Sequence, residues 1–412
     1  MITQELNDQF DKSIEYLNVG QYEKSINISL ELKKKIPDCY VHTIYYNIGY
    51  AYRMLNKYED AIEYFNKSLT YKDDYMQPHI ALHDVYCLVG NWFEGFKHYD
   101  WHFVPDTMFH YNYDISVNKR LDWMDPQVQR ALSVKFDKPY PQIDEKTDEE
   151  IRKIYKDSLE KLEGKTLNVI ATQGLGDVIE CSQFIEKLLE YKPKKIIFSV
   201  RIELFRLMFY LSKYDNVEIS YKKHETEDFD YFVSTFDLIK LFEASYTPVK
   251  SWITVSERDR EFRKHFILKM VVSKHGDDLD NKAIIGINWQ GNPKHIHDEK
   301  RSLSLEEILN TLELDNILVS FQFRPTDEEK ILFEKYNIIN LDPYIDDMYD
   351  TATFLNQVDL FVSVDTAQAH LAGSMGVKTV CLMPHNFEDY RWGYEGKTKL
   401  YESMKIMRLD IL

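Results

Sequence analysis

Cysteine is scarce in this chain, with four in 412 residues, and the four stand far apart at Cys39, Cys87, Cys181 and Cys381 with no C-x-x-C pair. That spacing excludes a disulfide scaffold and suits reduced thiols in a cytosol. Long apolar runs are missing too. No stretch approaches the roughly 20 residues needed to cross a bilayer, so stable membrane insertion is not expected. The opening M-I-T-Q-E-L-N-D-Q-F-D-K is acidic and polar, unlike a signal peptide. Basic residues are outnumbered, 51 Lys and Arg against 68 Asp and Glu, for a net charge of −17. Binders of the nucleic-acid backbone show a basic face, so nucleic acid is not an expected partner. Gly (14) and Pro (12) are sparse, while 44% of residues are hydrophobic and 29% charged, the composition of an ordinary globular protein. The length predicts two or three domains, and the expected location is cytoplasmic.

What is present begins with a repeat. Gly20-Gln-Tyr-Glu-Lys-Ser-Ile26, Asn56-Lys-Tyr-Glu-Asp-Ala-Ile62 and Gly90-Asn-Trp-Phe-Glu-Gly-Phe96 align on one another. Their aromatic positions Tyr22, Tyr58 and Trp92 lie 36 and 34 residues apart, the period of the tetratricopeptide helix pair. Ser25, Ala61 and Gly95 are small where paired helices cross, and Ile26, Ile62 and Phe96 follow as core. Tyr46–Leu69 is the clearest copy. Three such pairs are about the minimum for a solenoid that buries its faces. Its role is open between a concave surface for another protein and a module for packing or homo-oligomerisation.

Residues 106–163 read as a linker containing a polar loop, Tyr140–Thr147, and a lead-in helix, Asp148–Leu162. From Thr166 short apolar runs alternate with amphipathic stretches. Strands are predicted at Thr166–Ala171, Lys195–Val200 and Tyr231–Ser234, and helices at Cys181–Tyr191 and Ile202–Ser212. A charged helix, Ser256–Lys274, leads to a polar break, H-G-D-D-L-D-N-K. A second series of strands follows at Ala283–Trp289, Asn316–Phe321, Asn337–Asn340, Asp359–Val364 and Thr379–Met383. Short loops between them imply parallel crossovers and an α/β fold. The predicted domains are therefore 1–105, repeats; 106–163, linker; 164–273, a first Rossmann-like domain; and 274–412, a second one with a closing helix. Two doubly wound sheets place a ligand in the cleft at the carboxyl ends of their strands.

Three loops at such ends carry the candidate chemistry. In V-S-V-D-T-A-Q-A-H-L-A-G (362–373) a buried strand passes straight into a small-residue helix at Asp365-Thr366. Free N–H groups and the helix dipole there suit a phosphate, with Thr366 and Ala367 permitting close approach. The plain alternative is that Asp365 or Thr366 caps the helix. In Thr172-Gln-Gly-Leu-Gly-Asp177, Gly174 and Gly176 allow a tight turn after the first strand, and Asp177 is either a general base or an N-cap. The third loop, Asn288 to Ser302, carries Gly291, Asn292, Lys294, Lys300 and Arg301, donors that suit an anion. His295 and His297 lack a third ligand nearby, and Asp278-Leu279-Asp280 lies away from any strand end, so no metal site is expected. Near the end, Asp389-Tyr-Arg-Trp-Gly-Tyr394 offers Arg391 to a phosphate and Trp392 to a base or sugar, or else packs the last helix.

In their order these segments resemble glycosyltransferase family 9, the lipopolysaccharide heptosyltransferase-like proteins, in the version fused behind tetratricopeptide repeats. Five motifs carry the resemblance: Gly90–Trp101, Gln173–Ile179, Asn288–His295 with R-S-L-S from Arg301, Asp350–Gly373, and D-Y-R-W followed by Y-E-S-M-K-I-M-R up to Arg408. The join between Trp101 and Thr166 is longer than the fused family leads one to expect. The resemblance implies a GT-B fold, two Rossmann-like halves around a cleft, and metal-independent inverting transfer from a nucleotide-diphosphate sugar, which is a substrate, so that no cofactor is required. It maps the general base onto Asp177, with Gln173, Gly174 and Gly176 forming the acceptor-side loop. Donor contacts map onto Asn288, Gly291, Asn292, Arg301, Ser302, Asp365, Thr366, Ala367 and His370, with Arg391 and Trp392 in the closing motif. Repeats ahead of such a domain suggest a protein acceptor. The alternatives are a glycan or lipid-linked acceptor, and a non-catalytic scaffold whose cleft senses a nucleotide sugar.

Overall fold

The computed structural model describes residues 3–98, 147–171, 174–222, 224, 228–242, 250–277, 282–294, 298–384, 389, 391–393, 396, 398 and 400–409. These fall into two compact units, one holding the residues up to 98 together with 147–154, the other the residues from 155 onward.

The first unit is a run of helix pairs: α1 (Gln4–Asn18) with α2 (Tyr22–Lys33), α3 (Val41–Met54) with α4 (Tyr58–Tyr71), and α5 (Met76–Leu88) with α6 (Trp92–Lys97). The aligned aromatics Tyr22, Tyr58 and Trp92 each open the second helix of a pair. Before each lies a residue in the left-handed region: Gly20 at φ 74°, Asn56 at φ 57° and Gly90 at φ 83°. Glycine has no Cβ to oppose this conformation and Asn tolerates it, so the turn chemistry repeats with the helices. The small positions sit where the helices touch. Ser25 Oγ donates to the Ser13 carbonyl at 2.8 Å, and a Cβ on Gly95 would lie 2.5 Å from Cys87 Sγ. Ile26, Leu32, Val41, Ile44 and Ile48 form a core, Phe96 is buried too, and Ile62 is half-buried. The expected lead-in helix is present as α7 (Asp148–Glu160), begun in the first unit, where Asp148 pairs with Lys97 at 2.6 Å and Arg152 lies 4.0 Å from the centre of the Phe93 ring.

The second unit holds two all-parallel sheets. The first lobe runs β1 (Thr166–Ile170), α8 (Leu175–Cys181), α9 (Phe184–Leu188), β2 (Lys195–Ser199), α10 (Ile202–Phe205), β3 (Val217–Ser220), β4 (Tyr231–Ser234) and α11 (Thr235–Leu241), in the order β3-β2-β1-β4. Val169 pairs with Phe198 on one side and Val233 on the other, and all three are fully buried. Strands covered on both faces read as continuous apolar runs, which is why they stand out in the sequence. After α12 (Glu257–His275) the second lobe runs β5 (Ile284–Asn288), α13 (Asp298–Arg301), α14 (Leu305–Leu309), β6 (Ile317–Ser320), α15 (Asp327–Lys335), β7 (Ile339–Asn340), α16 (Met348–Leu355), β8 (Leu360–Ser363), α17 (Ala367–Ser374), β9 (Thr379–Pro384) and β10 (Met404–Leu409). Its order is β10-β9-β8-β5-β6-β7. The order in which strands are laid down reverses between β5 and β8, so a crevice opens at their carboxyl ends, as in dinucleotide-binding sheets. This is the expected α/β architecture, an all-α repeat region followed by two Rossmann-like lobes.

Several expected elements change form. The closing helix is replaced by a strand: β10 pairs in parallel with β9 from Met404 with Thr379 to Leu409 with Pro384. Met404 and Ile406 point inward while Lys405 and Met407 face out, a period of two that only a sheet edge satisfies. The helix expected at Cys181–Tyr191 starts earlier, breaks at Ser182-Gln183 and ends in a 3₁₀ turn, and Ile202–Ser212 is one α-helical turn continued as 3₁₀ helix. Strand β3 was not anticipated. Helix α12, placed before the domain boundary in the sequence reading, packs on the second lobe. There Phe266 meets Phe354 at 6.0 Å and Arg263 pairs with Asp350 at 2.7 Å. The polar loop Tyr140–Thr147 lies outside the described residues up to Lys146, as do Asp278–Asp280, His295 and His297.

Candidate functional site

The crevice of the second lobe is lined by the segments after β5 and β8. Thr366 holds the start of α17: its Oγ1 accepts from the Ala369 amide at 3.3 Å and lies 3.1 Å from Ser363 Oγ. Asn288, fully buried at the end of β5, donates from Nδ2 to Thr366 Oγ1 at 3.4 Å and so ties the two strand ends together. The cap reading of Thr366 therefore holds, and the helix start remains at the switch point with Ala367 next in line. On the β5 side Gly291 N–H donates to Ser302 Oγ at 3.0 Å, and Ser302 Oγ donates to Asp298 Oδ2 at 3.0 Å. Arg301 donates from Nε to Asp298 Oδ1 at 3.1 Å and from Nη1 to Asp365 Oδ2 at 3.5 Å. Asn292 Oδ1 caps the turn by accepting from the Lys294 amide at 3.1 Å.

The first lobe meets this crevice through the glycine loop. A Cβ on Gly176 would lie 2.7 Å from His370 Cδ2 and 3.3 Å from Ala367 Cα, so only glycine lets α8 approach α17 so closely. Asp177 sits at the third position of α8 and accepts from the Gly174 amide through Oδ2 at 2.9 Å. Its Oδ1 accepts from Arg391 Nη1, an ion pair from one lobe to the other. Gly174, Gly176, Asp177, Arg301, Asp365, Ala367, His370 and Arg391 are thus brought together; Gln173 lies outside the described residues. Arg391 also holds Asp389 with a two-pronged contact, Nε to Oδ1 at 2.9 Å and Nη2 to Oδ2 at 2.6 Å. Trp392 is fully buried and packs its ring against His370 at 4.6 Å, so it offers no open face for stacking.

Burial dominates the electrostatics. It raises the Asp365 carboxyl above the ordinary carboxylate range; Arg391 and Arg301 oppose the shift, and Asp389 and Asp177 add to it. Burial alone would raise Asp389 as well, but Arg391 overrides it and holds that carboxyl low. His370 is pushed well below its usual range by burial, with Arg391 adding to the effect, so its imidazole is neutral. Its Nδ1 lies 2.7 Å from the Tyr401 hydroxyl and its Nε2 lies 4.0 Å from Asp365 Oδ1. Asn288 Oδ1, His370 Nε2 and Trp392 Nε1 are buried with no hydrogen-bond partner among the described residues. Such atoms are costly in a finished core and are found where a site takes a polar ligand.

Sequence reading missed three supporting groups. Asp298 and Asp389 hold the two arginines, and Gln322 Oε1, at the end of β6, accepts from the amides of Gln290 at 3.0 Å and Trp289 at 3.3 Å. The only signal for the first two was a carboxylate two or three residues before each arginine. Gln322 carried none.

The Tetratricopeptide repeat family profile matches residues 42–75, the copy most legible in the sequence. No curated protein matches the sequence significantly. Among solved structures the chain is similar to a glycosyl transferase family 9 protein from Veillonella parvula DSM 2008, with 15% identity over 60% of this chain and 87% of that one and a TM-score of 0.41. It is also similar to ADP-heptose lps heptosyltransferase II from E. coli, with 12% identity over 60% of this chain and 91% of that one and a TM-score of 0.38.

Proposed function

We propose that the second unit is an inverting, metal-independent glycosyltransferase of the GT-B type, moving a sugar from a nucleotide-diphosphate sugar to an acceptor hydroxyl. The observation that carries this reading is the meeting of Asp177 with the start of α17. The carboxylate follows the carboxyl end of β1, one residue on from the close contact of Gly176 with the start of α17 at the other sheet's switch point, and it pairs with Arg391. In the reaction Asp177 takes the proton of the acceptor hydroxyl while that oxygen attacks the anomeric carbon. The bond to the diphosphate breaks on the opposite face, and the leaving group departs with the electron pair. Amides at the start of α17 and the Arg301 guanidinium stabilise the charge it gains, help of the kind worth about 3 kcal/mol per donor. Asn288, Ser302 and His370 shape the donor side around that position.

The repeats suit a protein acceptor, since a stack of helix pairs offers an extended surface and precedes the proposed catalytic unit in the sequence. A glycan or lipid-linked acceptor is the second reading within the same chemistry.

Native mass spectrometry against a panel of nucleotide-diphosphate sugars, followed by assays for transfer or hydrolysis, tests the proposal. Wild type should retain one donor class. Asp177→Asn should still bind it while turnover falls by a hundredfold or more, on the order of the loss expected for a missing general base. Unchanged turnover in that variant removes Asp177 from the mechanism. Arg301→Ala should weaken nucleoside diphosphate binding by calorimetry.

A further inference from the structure

Arg391 holds the proposed base in a covered state. Asp177 has one oxygen on the Gly174 amide and the other on Arg391 Nη1, so the side of the carboxylate toward the second lobe is occupied. The pair is only 19% and 15% exposed, away from the screening that makes surface pairs weak. Arg391 is anchored at its other end by Asp389, two residues before it, through the two-pronged contact and through its own amide at 2.9 Å. One guanidinium edge is therefore fixed, and Nη1 is the group that can exchange partners. A diphosphate carries more charge than the single carboxylate it would displace, and it offers oxygens to the same fork.

We infer that Arg391 is a donor-operated latch: the diphosphate of the incoming donor takes Nη1 from Asp177, and the carboxylate becomes open to the acceptor hydroxyl only once the donor is seated. The inference rests on the glycosyltransferase reading and adds an order to it. Donor binding precedes activation of the acceptor, so the donor is not exposed to a competent base before it is properly held. Asp389 is then a positioning residue, keeping the guanidinium within reach of both partners.

The latch makes Asp177 and the diphosphate competitors for one group, and competition is readable as a coupling of affinities. Calorimetry with UDP, GDP and ADP on wild type, Asp177→Asn, Arg391→Gln and the double variant forms a thermodynamic cycle. Asp177→Asn should bind the preferred nucleotide about tenfold more tightly than wild type, because the rival carboxylate is gone. In the Arg391→Gln background the same substitution should bring no gain. Unchanged affinity in Asp177→Asn overturns the latch, and so does a gain that persists without Arg391, which would mean simple charge repulsion. Arg391→Lys is a second background that keeps the charge but loses the fork; there the gain should shrink, and an undiminished gain also overturns the latch. If wild type binds none of the three nucleotides or their sugars, the glycosyltransferase reading fails first and takes the latch with it. If wild type binds and the cycle is flat, only the latch fails.

Discussion

Gly291 shows how tightly single residues are constrained around the arginines. A Cβ there would lie 2.5 Å from Asp298 Oδ1 and 2.7 Å from Arg301 Nη2, so Gly291→Ala must push the guanidinium off its seat. The expected result is a loss of about 1–3 kcal/mol in urea unfolding, the usual cost of overpacking, together with weaker nucleoside diphosphate binding. Normal affinity in a destabilised variant would separate Arg301 from the ligand. The sequence leaves Asp177 open between N-cap and base, and the structure corrects the first: the N-cap is Gly174, with Asp177 at the third helical position. Its Oδ2 accepts from the Gly174 amide and its Oδ1 from Arg391, so the residue steadies the helix start without being its cap. A G-x-G turn can be read locally. That the second glycine lies against Ala367 and His370 cannot, because that contact joins residues some two hundred positions apart.

At the scale of elements, the two lobes are tied by charge as well as by the glycine contact. Asp347 caps α16 by accepting from the Tyr349 and Asp350 amides, and it also pairs with Arg206 from the first lobe at 2.6 Å. Asp350 lies between Arg206 at 2.8 Å and Arg263 at 2.7 Å, with its side chain 10% exposed. Removing a buried partner leaves a charge uncompensated, so Asp350→Ala should destabilise the second unit by about 3 kcal/mol. Urea unfolding measures this, and a loss below that of a routine surface substitution would mean the arginines find other partners. Strands of the two sheets were legible because both faces are covered and their apolar runs are unbroken. The last strand was not. Met, Lys and Arg favour helix intrinsically, and β10 forms because β9 offers an open parallel edge, a tertiary fact that overrides propensity. Strand β3 escaped for a related reason: four residues, two of them only half-buried, carry too short a period to read.

Across the whole molecule the two units respond differently to acid. In the second unit Asp365 is shifted up while Asp389 and His370 are shifted down, so as pH falls Asp365 gains stability that the other two lose. The repeat unit has no such offset at its buried histidines. His79 Nε2 lies 2.8 Å from the Asp73 carbonyl, which can only accept, so Nε2 carries the proton. Its Nδ1 then accepts from His98 Nδ1 at 2.7 Å, a contact that requires a neutral ring at position 79. Burial depresses His79 to about 4, with Asp73 and Asp74 pulling the other way, and burial depresses His98 too, helped by His79, His83 and Lys97. Below pH 6.5 the unfolded chain takes up a proton at His79 that the folded unit refuses. Stability is therefore intact above 6.5 and falls as pH drops toward 4, with His79 alone contributing a loss of about 3 kcal/mol, about 2 kcal/mol of it by pH 5. Hydrogen exchange at α5 and α6 should quicken accordingly between pH 7 and pH 5, after correction for intrinsic rates, while His79→Gln should reduce the change by the His79 share. A repeat unit equally protected at both pH values would show that the histidine pair accepts a proton in place, by shifting the His98 proton to its other nitrogen.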